Sequence, residues 1–369
     1  MGQDLVVLRP QGLYCPAGDF YIDPWRKVDR AVITHAHADH ARTGHGHYLS
    51  TTAGAGLLRA RLGARIAVQA LDYGEPLLHH GVRLSLHPAG HVLGAAQVRL
   101  EHQGRVWVAS GDYYVRGQAL GDRQDNPSCE PFEPVRCDCF ITESTFGLPI
   151  YRWQRAAEVF ADINQWWQAN ASLGRPSVLA AYSLGKAQQL LAGVDASIGP
   201  IVVHGAVEAI NRVYRAAGIQ LPATRQIDEV ADPRDLSRAL VIAPPSAQTL
   251  QWAAQSAPPS TAFASGWMQL RSRRRSGSFE RGFALSNHAD WPGLQTAIRA
   301  SGCERVIVTH GFEATMVRWL REQGLDAGSF KTPFGQDDAG ESGEPRPDGV
   351  TIAPNSGDDP RRPAPEPAA

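Results

Sequence analysis

A chain of 369 residues can bury large cores and has room for two domains or one enlarged one. Lys plus Arg number 36 against 37 Asp plus Glu, a net charge of −1 that excludes a general nucleic-acid coat protein but leaves room for a local basic patch. No uninterrupted apolar run of about eighteen residues and no basic-then-apolar leader imply a soluble, cytoplasmic protein without a membrane partner.

In chain order, short strands are expected at 5–8 and 19–23, punctuated by Gly and Pro. A buried strand closing at Ile33 leads into His35-Ala36-His37-Ala38-Asp39-His40. Were the chain still extended there, side chains two apart would share a face, so His35, His37 and Asp39 would point into one space, with a helix starting at His40. Three imidazoles and a carboxylate so close together are the donors a borderline-soft divalent cation takes. Asp23, closing the strand before Pro24, is either a hydrogen-bonding partner for one of these imidazoles or a turn residue.

A helix over 51–62 and strands over 65–68 and 82–86 follow. His91 sits between Gly90 and Gly94, a turn whose backbone can come close to a metal. A hairpin over 97–109 delivers Asp112, and a strand from Phe140 closes on Glu143. Four successive segment ends bearing His, His, Asp and Glu argue for one site at the strand ends of an α/β scaffold. The five scattered cysteines, Cys15, Cys129, Cys137, Cys139 and Cys303, suit a reducing compartment and read as ordinary buried thiols.

From about Tyr151 the chain alternates helix and strand: helix 155–171, strand 178–181, a helix from Lys186, strand 200–203, helix 207–217, strand 239–243. That pattern reads as an inserted α/β unit with a parallel sheet. Ser183-Leu184-Gly185-Lys186 opens a helix and offers Ser183 and Lys186 as a phosphate seat, or is a plain helix cap. Arg271, Arg273, Arg274 and Arg275 form the one dense basic run, placed before His288 where a phosphate backbone can meet it. Strands over 281–285 and 306–309 lead into Ser286-Asn287-His288 and His310-Gly311 and are expected to complete the first domain. The expected units are 1–150, the insert 151–280, the completing part 281–334, and a disordered tail 335–369 poor in large apolar residues.

Ligands divide into an all-imidazole site, His35, His37 and His91, and a mixed site, Asp39, His40 and His310, with Asp112 between them. Two zinc ions, or manganese on the same ligands, about 3.5–4 Å apart share a water whose pKa falls to roughly 7, giving hydroxide as the attacking group. Two dications less two aspartates and a hydroxide leave a centre of about +1, which suits an anionic phosphodiester better than a neutral ester. Asp39 and Asp112 thus belong to the catalytic set. His288, not needed by either ion, is assigned as general acid oriented by Glu143, with Ser286 beside it among the substrate contacts.

The run His35-x-His37-x-Asp39-His40, followed by His91 and Asp112, resembles the metallo-β-lactamase superfamily. Glu143 in Thr-Glu-Ser-Thr-Phe-Gly, His288 in Ser-Asn-His-Ala-Asp and His310 in Thr-His-Gly look like the further motifs of its β-CASP nucleic-acid-processing branch. The resemblance implies an α/β (α+β) protein, an αββα sandwich interrupted by an inserted α/β cap domain. Residues 12–19, 140–149 and 264–268 resemble the bacterial ligase-associated DNA exonuclease family, which implies DNA repair alongside an ATP-dependent DNA ligase and a helicase. His310 is shared with RNA-cleaving members, where DNA cross-link-repair nucleases usually carry Val, and Asn287 stands where Asp is expected. The expected activity is therefore metal-dependent hydrolysis of nucleic acid, DNA before RNA. RNA processing, hydrolysis of a small thioester or lactam, and a non-catalytic metal-stabilised scaffold are the alternatives.

Overall fold

The computed structural model describes residues 4–245, 258–270 and 279–332. Six short strands come first, β1 (Val7–Arg9), β2 (Gly12–Cys15), β3 (Phe20–Ile22), β4 (Arg30–Val32), β5 (His47–Thr51) and β6 (Val68–Leu71), in one sheet in that order. β1 to β3 are antiparallel and β3 to β6 parallel. The first and last begin later than expected: Leu5 and Val6 are buried in the core ahead of β1, and Arg65 lies in the turn after Gly63. Between β5 and β6 runs α1 (Thr52–Leu62), whose start is fixed by Thr51 Oγ1 accepting from Gly54 N at 2.9 Å.

An antiparallel meander follows, β7 (Leu77–His79), β8 (Val82–Pro88), β9 (Ala96–His102) and β10 (Arg105–Ala109), joined in parallel by β11 (Cys139–Ser144). The chain then enters a second unit: α2 (Ala156–Ser172), β12 (Ser177–Ala180), α3 (Lys186–Gly193), β13 (Ile201–Val203), α4 (Gly205–Ala216), β14 (Arg225–Gln226), β15 (Leu240–Ala243), β16 (Ser260–Ala264) and β17 (Arg281–Phe283). Its strands are all parallel, ordered β14-β13-β15-β12-β16-β17. Trp166 and Trp167 of α2 are buried in its core, their indole N–H groups donating to Ser260 Oγ and Arg238 O, each at 3.0 Å. The strand expected at 281–285 to complete the first domain instead pairs with β16, Ala262 opposite Arg281, because Phe283 packs on Trp166 with ring centroids 5.7 Å apart. The inserted sheet thus runs past 280.

Only then does the chain return, through α5 (Trp291–Ser301), β18 (Arg305–Gly311), α6 (Glu313–Glu322) and β19 (Asp326–Ser329). β18 lies in parallel beside β11, Cys139 opposite Arg305, so neighbours in the sheet are separated in sequence by the whole insert. The resulting order is β19-β18-β11-β10-β9-β8-β7.

This sheet and the first face each other across one apolar layer, Phe20, Val32 and Leu49 against Leu84, Trp107 and Ile307. On the outer side of the seven-stranded sheet, Val108, Phe140 and Val306 meet Leu294 and Ile298 of α5 and Met316 and Leu320 of α6; beyond the first sheet, Tyr48 meets Leu57 of α1. Each such side chain, wholly withdrawn from water, contributes about 1.5–3 kcal/mol. The protein is a mixed α/β structure. Ile210 and Tyr214 of α4 belong to the same cluster as α1, so the insert shares a core with the rest. No helix among the described residues is long and apolar enough to cross a membrane. The tail expected at 335–369 and the arginine run at 271–275 lie outside the described residues.

Candidate metal centre

The histidine run does not continue a strand. β4 ends at Val32, and residues 33–40 form an irregular loop, so side-chain alternation is not what gathers His35 and His37. The helix expected from His40 is a single turn, His40 N and Ala41 N donating to His37 O at 3.2 and 2.8 Å. The loop is fixed from beneath: Asp23 accepts Thr34 N at 2.8 Å on one oxygen, and Thr34 Oγ1 at 2.5 Å and His40 Nδ1 at 2.7 Å on the other. Gly111, at φ +57°, permits the approach of the next segment, since a Cβ there would stand 2.6 Å from Thr34 Cβ.

His35, His37, His91 and Asp112, all buried, each bring one donor atom within 4.8 Å of the others. His37 Nδ1 is 3.0 Å from both His35 Nε2 and His91 Nε2, and Asp112 Oδ2 is 3.5 Å from His35 Nε2. The outer ring nitrogens decide the tautomers. His37 Nε2 donates to Leu184 O at 3.2 Å and His91 Nδ1 to Asn287 O at 2.8 Å, because a carbonyl can only accept. The Thr34 hydroxyl gives its proton to Asp23, so at 3.1 Å it accepts from His35 Nδ1. Every inner nitrogen is therefore a bare lone pair, and that of His37 meets those of His35 and His91 at 3.0 Å each. They repel unless a cation sits among them. Tetrahedral zinc, with nitrogens at about 2.0–2.1 Å, sets such ligands about 3.3 Å apart, so the donor set and its spacing fit.

A second group shares Asp112. His310 Nε2 is 3.0 Å from Asp112 Oδ1, and His40 Nε2 is 3.3 Å from Asp112 Oδ2 and 3.4 Å from Asp39 Oδ2. The other Asp39 oxygen is buried without a hydrogen-bond partner, an orphaned acceptor that suits a cation ligand. A cavity of about 50 Å³ is lined in part by Asp39, His40 and His310.

Electrostatics separate the two groups. Burial drives His35 and His91 well below the ordinary imidazole pKa and His37 to about 4, so all three are neutral, as ligands must be. At His40 burial is overcome by Asp112, Asp39 and Asp23, which hold it well above the ordinary value. Asp39 falls to about 2, the His40 charge outweighing burial. A proton on His40 balances these carboxylates in the absence of a metal.

His288 joins Asp112 and Glu143 in a third buried group. Its Nδ1 is 3.0 and 3.1 Å from the two Glu143 oxygens, one of which also accepts Tyr113 N at 2.8 Å. Trp153 Nε1 donates to His288 O at 2.8 Å. Ser286, expected to meet substrate, is buried, and its hydroxyl accepts His288 N at 3.0 Å; it shapes the His288 loop. Ser183 and Lys186 are likewise buried, Lys186 Nζ donating to Gln189 Oε1 at 3.2 Å. Their turn touches the centre through Leu184 O on His37.

Sequence reasoning missed Thr34, the carbonyls of Leu184 and Asn287, and Asn126, whose Nδ2 donates to Gly90 O and His91 O at 3.2 Å. A backbone carbonyl has no sequence signature. Thr34, directly preceding the first histidine, was the one that could have been found.

No family model matches the chain. A protein of Opitutus terrae described as a probable DNA ligase is 32% identical over 318 residues, 86% of this chain and 30% of that protein. Ribonuclease TTHA0252 of Thermus thermophilus is 27% identical over 198 residues, 47% of this chain and 44% of its own length. Cleavage and polyadenylation specificity factor subunit 3 of Dictyostelium discoideum is 28% identical over 132 residues, 35% and 16%. The chain spans less than half the length of these curated relatives. A solved structure from Enterococcus faecalis, of unknown function, superposes with a TM-score of 0.54 at 10% identity over 82% of this chain and 78% of its own, a likeness of fold alone. In these nuclease relatives and in the motifs that build the centre, the chain is similar to the β-CASP branch of the metallo-β-lactamase superfamily.

Proposed function

We propose that this protein is a dinuclear metal-dependent phosphodiesterase that hydrolyses nucleic acid, DNA in preference to RNA, and trims ends during repair. Its two facing sheets with outer helices are then the αββα metallo-β-lactamase sandwich, and its third sheet the inserted β-CASP cap. The observation that carries the reading is the convergence of three imidazole lone pairs, each fixed by the hydrogen bond on its opposite nitrogen.

His35, His37, His91 and Asp112 would hold one cation, and Asp39, His40, His310 and Asp112 the other. Zn²⁺ suits both sets, and Mn²⁺ accepts the same ligands. Bound there, such ions would supply Lewis-acid polarisation of a phosphoryl oxygen and an acidified water. Asp23 keeps the His40 and His35 lone pairs turned inward, directly and through Thr34. His288, its Nδ1–H held by Glu143, presents Nε2 to the leaving oxygen and delivers the proton there. Arg271, Arg273, Arg274 and Arg275 would neutralise phosphates of the substrate, while Ser183 and Lys186, buried, support the turn whose Leu184 O holds His37.

DNA is favoured by the relative that covers most of the chain, described as a DNA ligase; a nick-sealing ligase would then act on the trimmed end, with a helicase as a further partner. RNA is the second reading, carried by relatives described as ribonucleases and by His310. Purified protein given 5′- and 3′-labelled DNA and RNA of one sequence, with Zn²⁺ or Mn²⁺ and with chelator, decides. A chelator-sensitive ladder from one DNA end supports the proposal. Faster cutting of RNA overturns the substrate assignment, and inertness towards both overturns the activity.

A further inference from the structure

Five cysteines are buried and unbridged, but two of them are not ordinary core thiols. The parallel ladder of β11 and β18 begins with Cys139 opposite Arg305, and the segments that lead into the two strands bring Cys137 and Cys303 into one buried cluster. Arg305 N donates to Asp138 O at 3.3 Å within that register, and one step upstream Cys137 N donates to Ser301 O at 3.1 Å, which sets Cys137 beside Gly302, next to Cys303 in sequence. Neighbouring strands lie about 4.8 Å apart, inside the Cα separation of about 4.4–6.8 Å that a disulfide spans.

The two thiols are hydrogen-bonded to each other, and the Ser301 hydroxyl lies within reach of both. The Cys137 thiol donates, which pulls Cys303 down to about 7 and pushes Cys137 up. Cys303 is thereby the readier of the two to ionise, and the thiolate is the form that reacts. Access also sets the pair apart. Cys137 and Cys303 are 9% and 7% exposed, against 5% for Cys129, which has no thiol neighbour among the described residues, and 0% and 1% for Cys15 and Cys139. Exposed Gly302 and Arg136 flank them in sequence, the Arg136 guanidinium lying against Gly302.

We propose that Cys137 and Cys303 are a modification site, a dithiol that a hydroperoxide oxidises to a disulfide tying the approach to β11 to the approach to β18. The Cys303 thiolate attacks the peroxide, the O–O bond breaks, hydroxide leaves, and Cys303 becomes a sulfenic acid. The Cys137 sulfur then attacks that sulfur; S–S forms, S–O breaks, and water departs with the Cys137 proton. Two thiols lose two electrons and one hydroperoxide is reduced. The bond closes a loop containing the entire insert, at the opposite end of β18 from His310, about 23 Å along the strand at about 3.3 Å per residue.

The test is hydrogen peroxide on the whole native protein, read by intact mass and non-reducing peptide mapping. The expected product is two hydrogens lighter, with one linked peptide pair, Cys137 to Cys303, reversed by dithiothreitol. A Cys139→Ala variant should give the same product, and Cys137→Ser should leave a Cys303 sulfenic acid that dimedone captures. Native protein unchanged under peroxide that oxidises the unfolded chain overturns the proposal. So does a link from Cys137 to Cys139, or a Cys137→Ser variant that yields no sulfenic adduct.

Discussion

Asp23→Asn isolates the carboxylate that orients ligands in both halves of the centre. Asp23 sits at φ +43°, a left-handed backbone that Asn tolerates, and the two side chains have the same shape, so the loop should survive. Its oxygens accept three donors: Thr34 N, the Thr34 hydroxyl and His40 Nδ1. An amide offers one oxygen for these three. If its NH₂ faces His40, that ring must move its proton to Nε2 and lose the lone pair aimed between Asp39 and Asp112. His35, reached only through Thr34, is disturbed less. Loss of such a partner typically costs 10–100-fold in metal affinity, or ~1.4–2.7 kcal/mol per ion. Competition with a chromogenic chelator during stepwise zinc addition should show the weaker, second ion losing more than the first. Unchanged binding of both ions, with the fold intact by circular dichroism, would refute the tautomer reasoning.

His288→Ala should retain both ions yet lose about 10²–10⁴-fold in turnover on DNA, and far less on a nitrophenyl phosphodiester whose leaving group needs no proton. An equal loss on both substrates removes the general-acid role, and a lost ion makes His288 a ligand. Gly111→Ala puts a Cβ 2.6 Å from Thr34 Cβ at φ +57° and should lower stability by at least ~2 kcal/mol in urea unfolding. In chelated protein, His35, His37 and His91 have depressed pKa values, so the unfolded chain binds more protons below about 6.5 and stability falls as pH drops from there towards about 4. His40 and His310 are raised, so their contribution is complete below about 6.5 and is lost as pH rises beyond it. Unfolding midpoints across pH 4–9 in chelator should therefore peak between these limbs, and saturating zinc, which displaces the protons of His40 and His310, should raise the midpoints, steepen the acid limb and flatten the alkaline one.

The donors were legible because a dication's chemistry restricts residue type: His35, His37, His40, His91, Asp112 and His310 stand out in the sequence, and the structure brings them together. The route was misread. Strand alternation was the expected device, yet β4 ends at Val32 and Asp23 holds the loop, a long-range contact that periodicity cannot encode. The return of the chain from the insert was misplaced for a related reason. Residues 281–283 look like any apolar strand, and only the packing of Phe283 on Trp166 assigns them to the inserted sheet. Ser286 stood out in the sequence only as a neighbour of His288; that its hydroxyl accepts His288 N and so shapes the loop is a local contact with no sequence signature. Cys137 and Cys303, far apart in sequence, gave no hint that the segments leading into β11 and β18 would bring them into one cluster.

Anomalous diffraction at the zinc edge, from crystals grown with saturating zinc, tests the central claim most directly. Two peaks per chain are predicted, one among His35, His37 and His91 and one among Asp39, His40 and His310, with Asp112 reaching both. Peaks elsewhere, or none in a pocket whose imidazoles keep their present positions, would contradict it.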